Sequence, residues 1–219
     1  MELTELEKKV ILTLAQRGPM SGYDFHLGGK RKRGNRKALM SSGYWQKIKA
    51  SLGPEGKGLI DRVHVKRTKS RNEPRDERGR RKDLYWLTFK GLILALRMGA
   101  IEPKRAHDIR VKYGVELPAI PEFKRVVEFV EENWGVFYFF FKIIHFDENI
   151  DMELATSLIA QLTLIWLNEK HPHLIEKYIK GNNLELPNGV TLEDWKEIGK
   201  NPFMKKFLET WKRMLPQIF

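Results

Sequence analysis

The chain has no cysteine among its 219 residues. That excludes a disulfide framework, a cysteine nucleophile and thiolate metal ligands, and it fits an intracellular protein. The opening, MELTELEKKV, lacks the apolar stretch of a signal peptide. A membrane span takes about 18–20 apolar residues. The most apolar stretch, GVFYFFFKIIHF, falls short of that and is interrupted by Lys142. A soluble, cytoplasmic protein with no membrane association is expected. No internal repeat or low-complexity tract is visible. GPEGKG is not a phosphate loop, because the spacing is wrong and Gly58, not Ser or Thr, follows Lys57. No Ser-His-Asp order or carboxylate pair stands out among the 28 acidic residues, so a non-enzyme with no cofactor is expected. Histidine builds no evident metal site either. His171-x-His173 spans a proline and His145-x-Asp147 ends a predicted helix, so four ligands would have to be assembled by the fold.

What is present is enough apolar material for a core: 42% of residues are hydrophobic against 31% charged, which argues against disorder. The length allows one large domain or two ordinary ones. The net charge of +12 is unevenly placed. Residues 1–110 hold 27 Lys+Arg against 12 Asp+Glu, and residues 111–219 hold 13 against 16. A strongly basic half joined to a mildly acidic one suggests that one part meets a polyanion and the other does not.

Thr4 and Glu7 form a capping-box pattern that opens a helix, with Leu3, Leu6, Val10, Ile11 and Leu14 on one face. Gly18-Pro19 ends it, and Ser21 suits the cap of a short second helix through Tyr23 and Phe25. The run GGKRKRGNRK, residues 28–37, then packs six cations and no anion. Ser41 or Ser42 caps a third helix. Trp45, Ile48 and Leu52 share its apolar face, and Gly43, Gln46, Lys47 and Ala50 fall opposite, at about 100° per residue. Trp45 is assigned to the core, and so is Tyr44, with stacking on a ribose as its other reading. Ile60, Val63 and Val65 suggest a strand, RNEPRDERGRRK an exposed turn, and DLYWLT the returning strand. A helix from about Phe89 to Gly99 follows, and PKRAHDIRVKYG suits another.

Helix, helix, basic loop, helix and a hairpin with a basic tip is the order of a winged helix-turn-helix. VILTLAQRGPMSGYDF, GLIDRV and YWLTFKGLILAL, within residues 5–98, resemble PadR-type transcription regulators. That resemblance implies a winged-helix fold and DNA-binding function for this part of the chain.

Prolines in VELPAIP mark a domain boundary near 115–121. Beyond it, the segment 122–146 reads as one helix, amphipathic at first and apolar all round from Val136 to Phe141. Its aromatic patch (Trp134, Phe137, Tyr138, Phe139, Phe140, Phe141) suits a core or a dimer seam, or the lining of an effector pocket. Asp151 caps the next helix, with Leu154, Leu158, Leu162, Ile165 and Trp166 on one side. Pro172 breaks the pattern, Gly181 suits a C-cap, and short helices are expected around Trp195 and from Asn201-Pro202 to Met214. The expected fold is mainly α: a winged helix-turn-helix with a small β-hairpin over 1–117 and an all-helical domain over 118–219, serving dimerisation, partner or effector binding.

Two basic segments flank the third helix, a pattern that suits phosphate clamps around a base-reading helix. The expected DNA contacts are Lys30, Arg31, Lys32, Arg33, Arg36 and Lys37 in the first segment. The third helix adds Ser42, Gly43, Gln46, Lys47 and Lys49. The wing adds Lys66, Arg67, Lys69, Arg71, Arg75, Arg78, Arg80, Arg81 and Lys82. Gln46 suits a bidentate contact to adenine and Lys47 one to guanine, with phosphate contacts as the plainer alternative for both. Each basic segment alone could be merely solvated. A sequence-specific duplex-DNA regulator, acting as a homodimer, is the leading expectation. An architectural or RNA-binding protein without base readout, and a DNA-binding accessory subunit of a replication, repair or mobile-element machine, are the alternatives.

Overall fold

The computed structural model of the chain describes residues 2–27, 41–62, 83–133, 136–144 and 151–182. It is mainly helical, with one small antiparallel sheet of three strands. The chain divides into two compact units: Met1–Pro118 with Phe141–Glu148, and Ala119–Phe140 with Asn149–Phe219.

In the first unit, Thr4 opens α1 (Glu5–Arg17) with a complete capping box, its hydroxyl accepting from Glu7 N and the Glu7 carboxylate accepting from Thr4 N. Val10, Ile11 and Leu14 of α1 are buried, while Leu3 and Leu6 are partly exposed. Met20–Ser21 then forms a short strand, β1, which the sequence does not reveal, because two residues carry no periodicity to read. Ser21 also closes the start of α2 (Gly22–Leu27): its N and Oγ donate to Asp24 Oδ2, and Asp24 N donates back to Ser21 Oγ. The third helix, α3 (Ser42–Leu52), takes Ser41 as its cap, with Tyr44 N donating to Ser41 Oγ at 3.4 Å.

Strands β2 (Ile60–Arg62) and β3 (Leu84–Leu87) pair antiparallel, Ile60 opposite Leu87 and Arg62 opposite Tyr85. β1 joins the other edge of β3, so the order is β1-β3-β2. Val63 and Val65, expected in the first hairpin strand, lie outside the described residues. Thr88 caps α4 (Phe89–Arg97) and also donates its hydroxyl to Gly58 O at 2.6 Å. Here the helix touches the chain entering β2. A Cβ on Gly91 would lie 2.0 Å from Leu59 O, so only glycine permits this approach. α5 (Pro103–Tyr113) ends at the left-handed Gly114.

The second unit opens with a 3-10 turn, Pro121–Phe123. Within the segment expected to be one helix, 122–146, the described residues form α6 (Lys124–Asn133) and α7 (Val136–Ile143), and residues 134–135 lie outside them. Val136, Phe137, Tyr138, Phe140 and Phe141 are buried, so the aromatic run is core. Trp134 lies outside the described residues. Phe141–Glu148 belong to the first unit, although the sequence reading assigns everything from 118 onward to one domain. The cause is local. Arg97 Nε donates to Phe141 O at 2.9 Å, its Nη2 donates to Ile144 O at 2.6 Å, and the Phe89 ring meets Phe141 edge-on. Burial pushes the Arg97 guanidinium below its ordinary pKa, and these two backbone carbonyls supply acceptors that a partly buried cation requires.

Asp151 caps α8 (Met152–Lys170) as expected, accepting from Glu153 N. Its buried face matches the expected one at Ile165 and Trp166 but not at the leucines. Leu154 and Leu158 are exposed, and Ala155, Ile159, Ala160, Leu164, Ile165, Trp166 and Leu167 are buried. α9 spans Pro172–Asn182, so Gly181 lies within the helix and not at its cap. α8 packs against both α6 and α9. The helices expected around Trp195 and after Asn201 lie outside the described residues.

Candidate nucleic-acid interface

The rotational setting of α3 is determined by one side chain. Trp45 is 5% exposed, stacked on Phe25 of α2 at 4.8 Å between ring centroids and edge-on to Tyr85 of β3 at 5.3 Å. Gly22 at the start of α2 makes room for it: a Cβ there would fall 2.2 Å from Trp45 Nε1. Ile48 and Leu52 are buried on the same side of α3. With that face held, Gly43, Gln46, Lys47 and Ala50 are all exposed, as the helical spacing predicts. Ser42 is the first residue of the helix. Lys49 is on the flank and half-buried, with Nζ 6.0 Å from the centroid of the Tyr85 ring.

Tyr44 corrects the expectation of a core residue, since it is 58% exposed. Its neighbour Trp45 takes the slot between Phe25 and Tyr85, and a residue about 100° around the helix cannot share it. Lys47 Nζ lies 5.9 Å from the centroid of the exposed Tyr44 ring.

A buried ionic cluster anchors the other end of α3. Glu7 of α1, only 2% exposed, accepts from Ser51 Oγ at 2.5 Å and from Lys57 Nζ at 2.7 and 2.8 Å, in addition to its capping contacts. Burial alone would raise the Glu7 pKa. Hydrogen bonds from Lys57, Ser51 and Thr4 outweigh it and lower the value from 4.5 to about 2. Through this one carboxylate, α1 holds both the last turn of α3 and the loop that follows it. Sequence reading reveals only the local half of the arrangement, the Thr4–Glu7 box. The lysine in GPEGKG, rejected as a phosphate ligand, has this structural partner.

Of the expected DNA contacts, Ser42, Gly43, Gln46, Lys47 and Lys49 lie together on α3. Lys30, Arg31, Lys32, Arg33, Arg36 and Lys37 lie outside the described residues, as do Lys66, Arg67, Lys69, Arg71, Arg75, Arg78, Arg80, Arg81 and Lys82. The elements that bound these segments are described. Residues 28–40 connect α2 to the capping residue of α3, and residues 63–82 connect two paired strands. An exposed Arg62–Asp83 ion pair bridges the base of the second connection.

The first unit also carries a groove of about 1020 Å³, lined by residues including Pro19, Arg62, Trp86, Val111 and Tyr113, with none from α3. Among the described residues no group of three or more His, Asp or Glu could hold a metal ion, and no helix is long and apolar enough to cross a membrane. No family model, curated protein or solved structure matches the chain.

Proposed function

We propose that the chain is a sequence-specific duplex-DNA-binding regulator. In this reading the first unit is a winged helix-turn-helix: α3 enters the major groove, and residues 28–37 and 66–82 lie on the phosphate backbone. The β2–β3 pair forms the base of the wing. One observation carries the reading. α3 buries Trp45, Ile48 and Leu52 and presents Gly43, Gln46, Lys47 and Ala50 to solvent, and in the sequence this helix lies between two segments of concentrated positive charge. Small and hydrogen-bonding residues suit close approach to base edges, and clustered cations suit phosphate. The likeness to PadR-type regulators over residues 5–98 belongs to the same proposal and rests on those residues alone.

The second unit pairs two copies of the chain in this reading, so that two copies of α3 address the halves of a palindrome. Leu154 and Leu158, one turn apart on α8 and 44% and 39% exposed, support a self-association surface there. The test is selection of binding sites from random duplex DNA. A regulator enriches one sequence and binds it about a thousandfold or more tighter than random duplex. Equal binding to all duplexes, or preference for RNA, rejects the proposal in favour of an architectural or RNA-binding protein.

A further inference from the structure

We propose that Tyr44 is a specificity-determining residue of this interface, its ring packing against the 5-methyl group of a thymine. The inference rests on the duplex-DNA reading of α3 and extends it to a residue that the sequence places in the core. Tyr44 is 58% exposed, whereas Phe25, Trp45, Trp86 and Phe89 of the same unit are each 5% exposed or less. It lies in the first turn of α3, and the N-terminal residues of a groove-bound helix are the ones that reach base edges.

Two features of its surroundings favour a partner that comes close. At Gly43, a Cβ would meet nothing within 4 Å among the described residues, so no contact among them requires glycine there. Glycine is a poor helix residue, and its presence on an exposed face is explained by a groove wall approaching the backbone beside Tyr44. Lys47 Nζ, 5.9 Å from the ring centroid, places a cation beside the aromatic surface. An apolar surface next to a cation matches what a groove presents at a thymine next to a guanine: a methyl group and then two acceptors. The phenolic hydroxyl could instead donate to a phosphate. That alternative predicts a different response to removing the hydroxyl.

The test uses the full chain and the duplex site enriched from random DNA. Each thymine is replaced singly by deoxyuridine, which removes only the methyl group, and affinity is measured by competition. One position is expected to weaken wild-type binding about fourfold, the value of one buried methyl group. Tyr44→Ala should bind the unsubstituted site at least as weakly and show no further loss on the uridine duplex. Tyr44→Phe should retain the methyl dependence. The inference is overturned if no uridine position affects the wild type. It is equally overturned if Tyr44→Ala remains as methyl-sensitive as the wild type, or if Tyr44→Phe weakens binding to all duplexes alike. If random DNA yields no preferred site, the duplex-reading proposal itself fails, and this inference with it.

Discussion

Glu7→Gln keeps the shape of a side chain that is 2% exposed and removes its charge, leaving Lys57 without its carboxylate partner. The magnitude follows from the acidity of the group. Its pKa is about 2 in the folded chain against 4.5 in the unfolded one. A pKa unit corresponds to about 1.4 kcal/mol, so the charged form contributes about 3 kcal/mol at neutral pH. Because the folded value is depressed, that stability is fully present above about pH 4.5 and is lost as pH falls toward 2. By pH 3, linkage puts the loss at about 2 kcal/mol. Urea unfolding of the wild type and Glu7→Gln, followed at pH 7 and again at pH 3, reads both quantities. The variant should be less stable by about 3 kcal/mol at pH 7, in line with the cost of breaking a buried pair, and the gap should narrow to about 1 kcal/mol at pH 3. A cost below about 0.5 kcal/mol at pH 7, typical of a surface substitution, refutes the reasoning. So does a gap that does not change with pH.

Arg97→Met removes the donors to Phe141 O and Ile144 O and should destabilise the first unit by about 3–6 kcal/mol, since hydrogen bonds from charged groups are worth about 1.5–3 kcal/mol each; a change within 0.5 kcal/mol in thermal or urea unfolding contradicts this role. Changing Lys30, Arg31, Lys32 and Arg33 to Ala should flatten the slope of log affinity against log salt by about two to three units while sequence preference survives, because each neutralised phosphate contributes about −0.9. An unchanged slope would mean that this segment does not meet the duplex. The proposed self-association predicts that the full chain sediments at twice its 25.8 kDa mass at micromolar concentration; a monomer there removes the dimer and points to a partner protein.

Features of the fold that depend on neighbours in sequence are legible from the residues. The Thr4–Glu7 box, the Asp151 cap and the Trp45/Ile48/Leu52 face are set by spacings of a few residues, and each is present in the structure. Arrangements that depend on which residue wins a shared space are not. Tyr44 and Trp45 are adjacent aromatics of similar size, and only the positions of Phe25 and Tyr85 decide which one is buried. On α8, leucines at 154, 158 and 162 give the stronger hydrophobic pattern. The core nevertheless takes Ala155, Ile159 and Ala160 along with the expected Ile165 and Trp166, because the helices packed against α8, α6 and α9, decide which face is buried. The Lys57–Glu7 pair spans 50 positions, and nothing local to either residue indicates it. Most of the expected contacts with phosphate, in residues 30–37 and 66–82, lie outside the described residues, so the candidate site rests on α3.

The central claim is that the exposed face of α3 reads base sequence, and competition binding tests it most directly. Affinity for the enriched duplex and for a scrambled duplex of the same length is measured, at one salt concentration, for the wild type and for the Gln46→Ala, Lys47→Ala double variant. Both residues are exposed opposite Trp45, Ile48 and Leu52, so the variant should fold normally. It should lose about 1–3 kcal/mol per bidentate contact on the enriched duplex and much less on the scrambled one, which collapses the preference. An equal loss on both duplexes would contradict the claim and leave α3 as a helix that only holds the backbone.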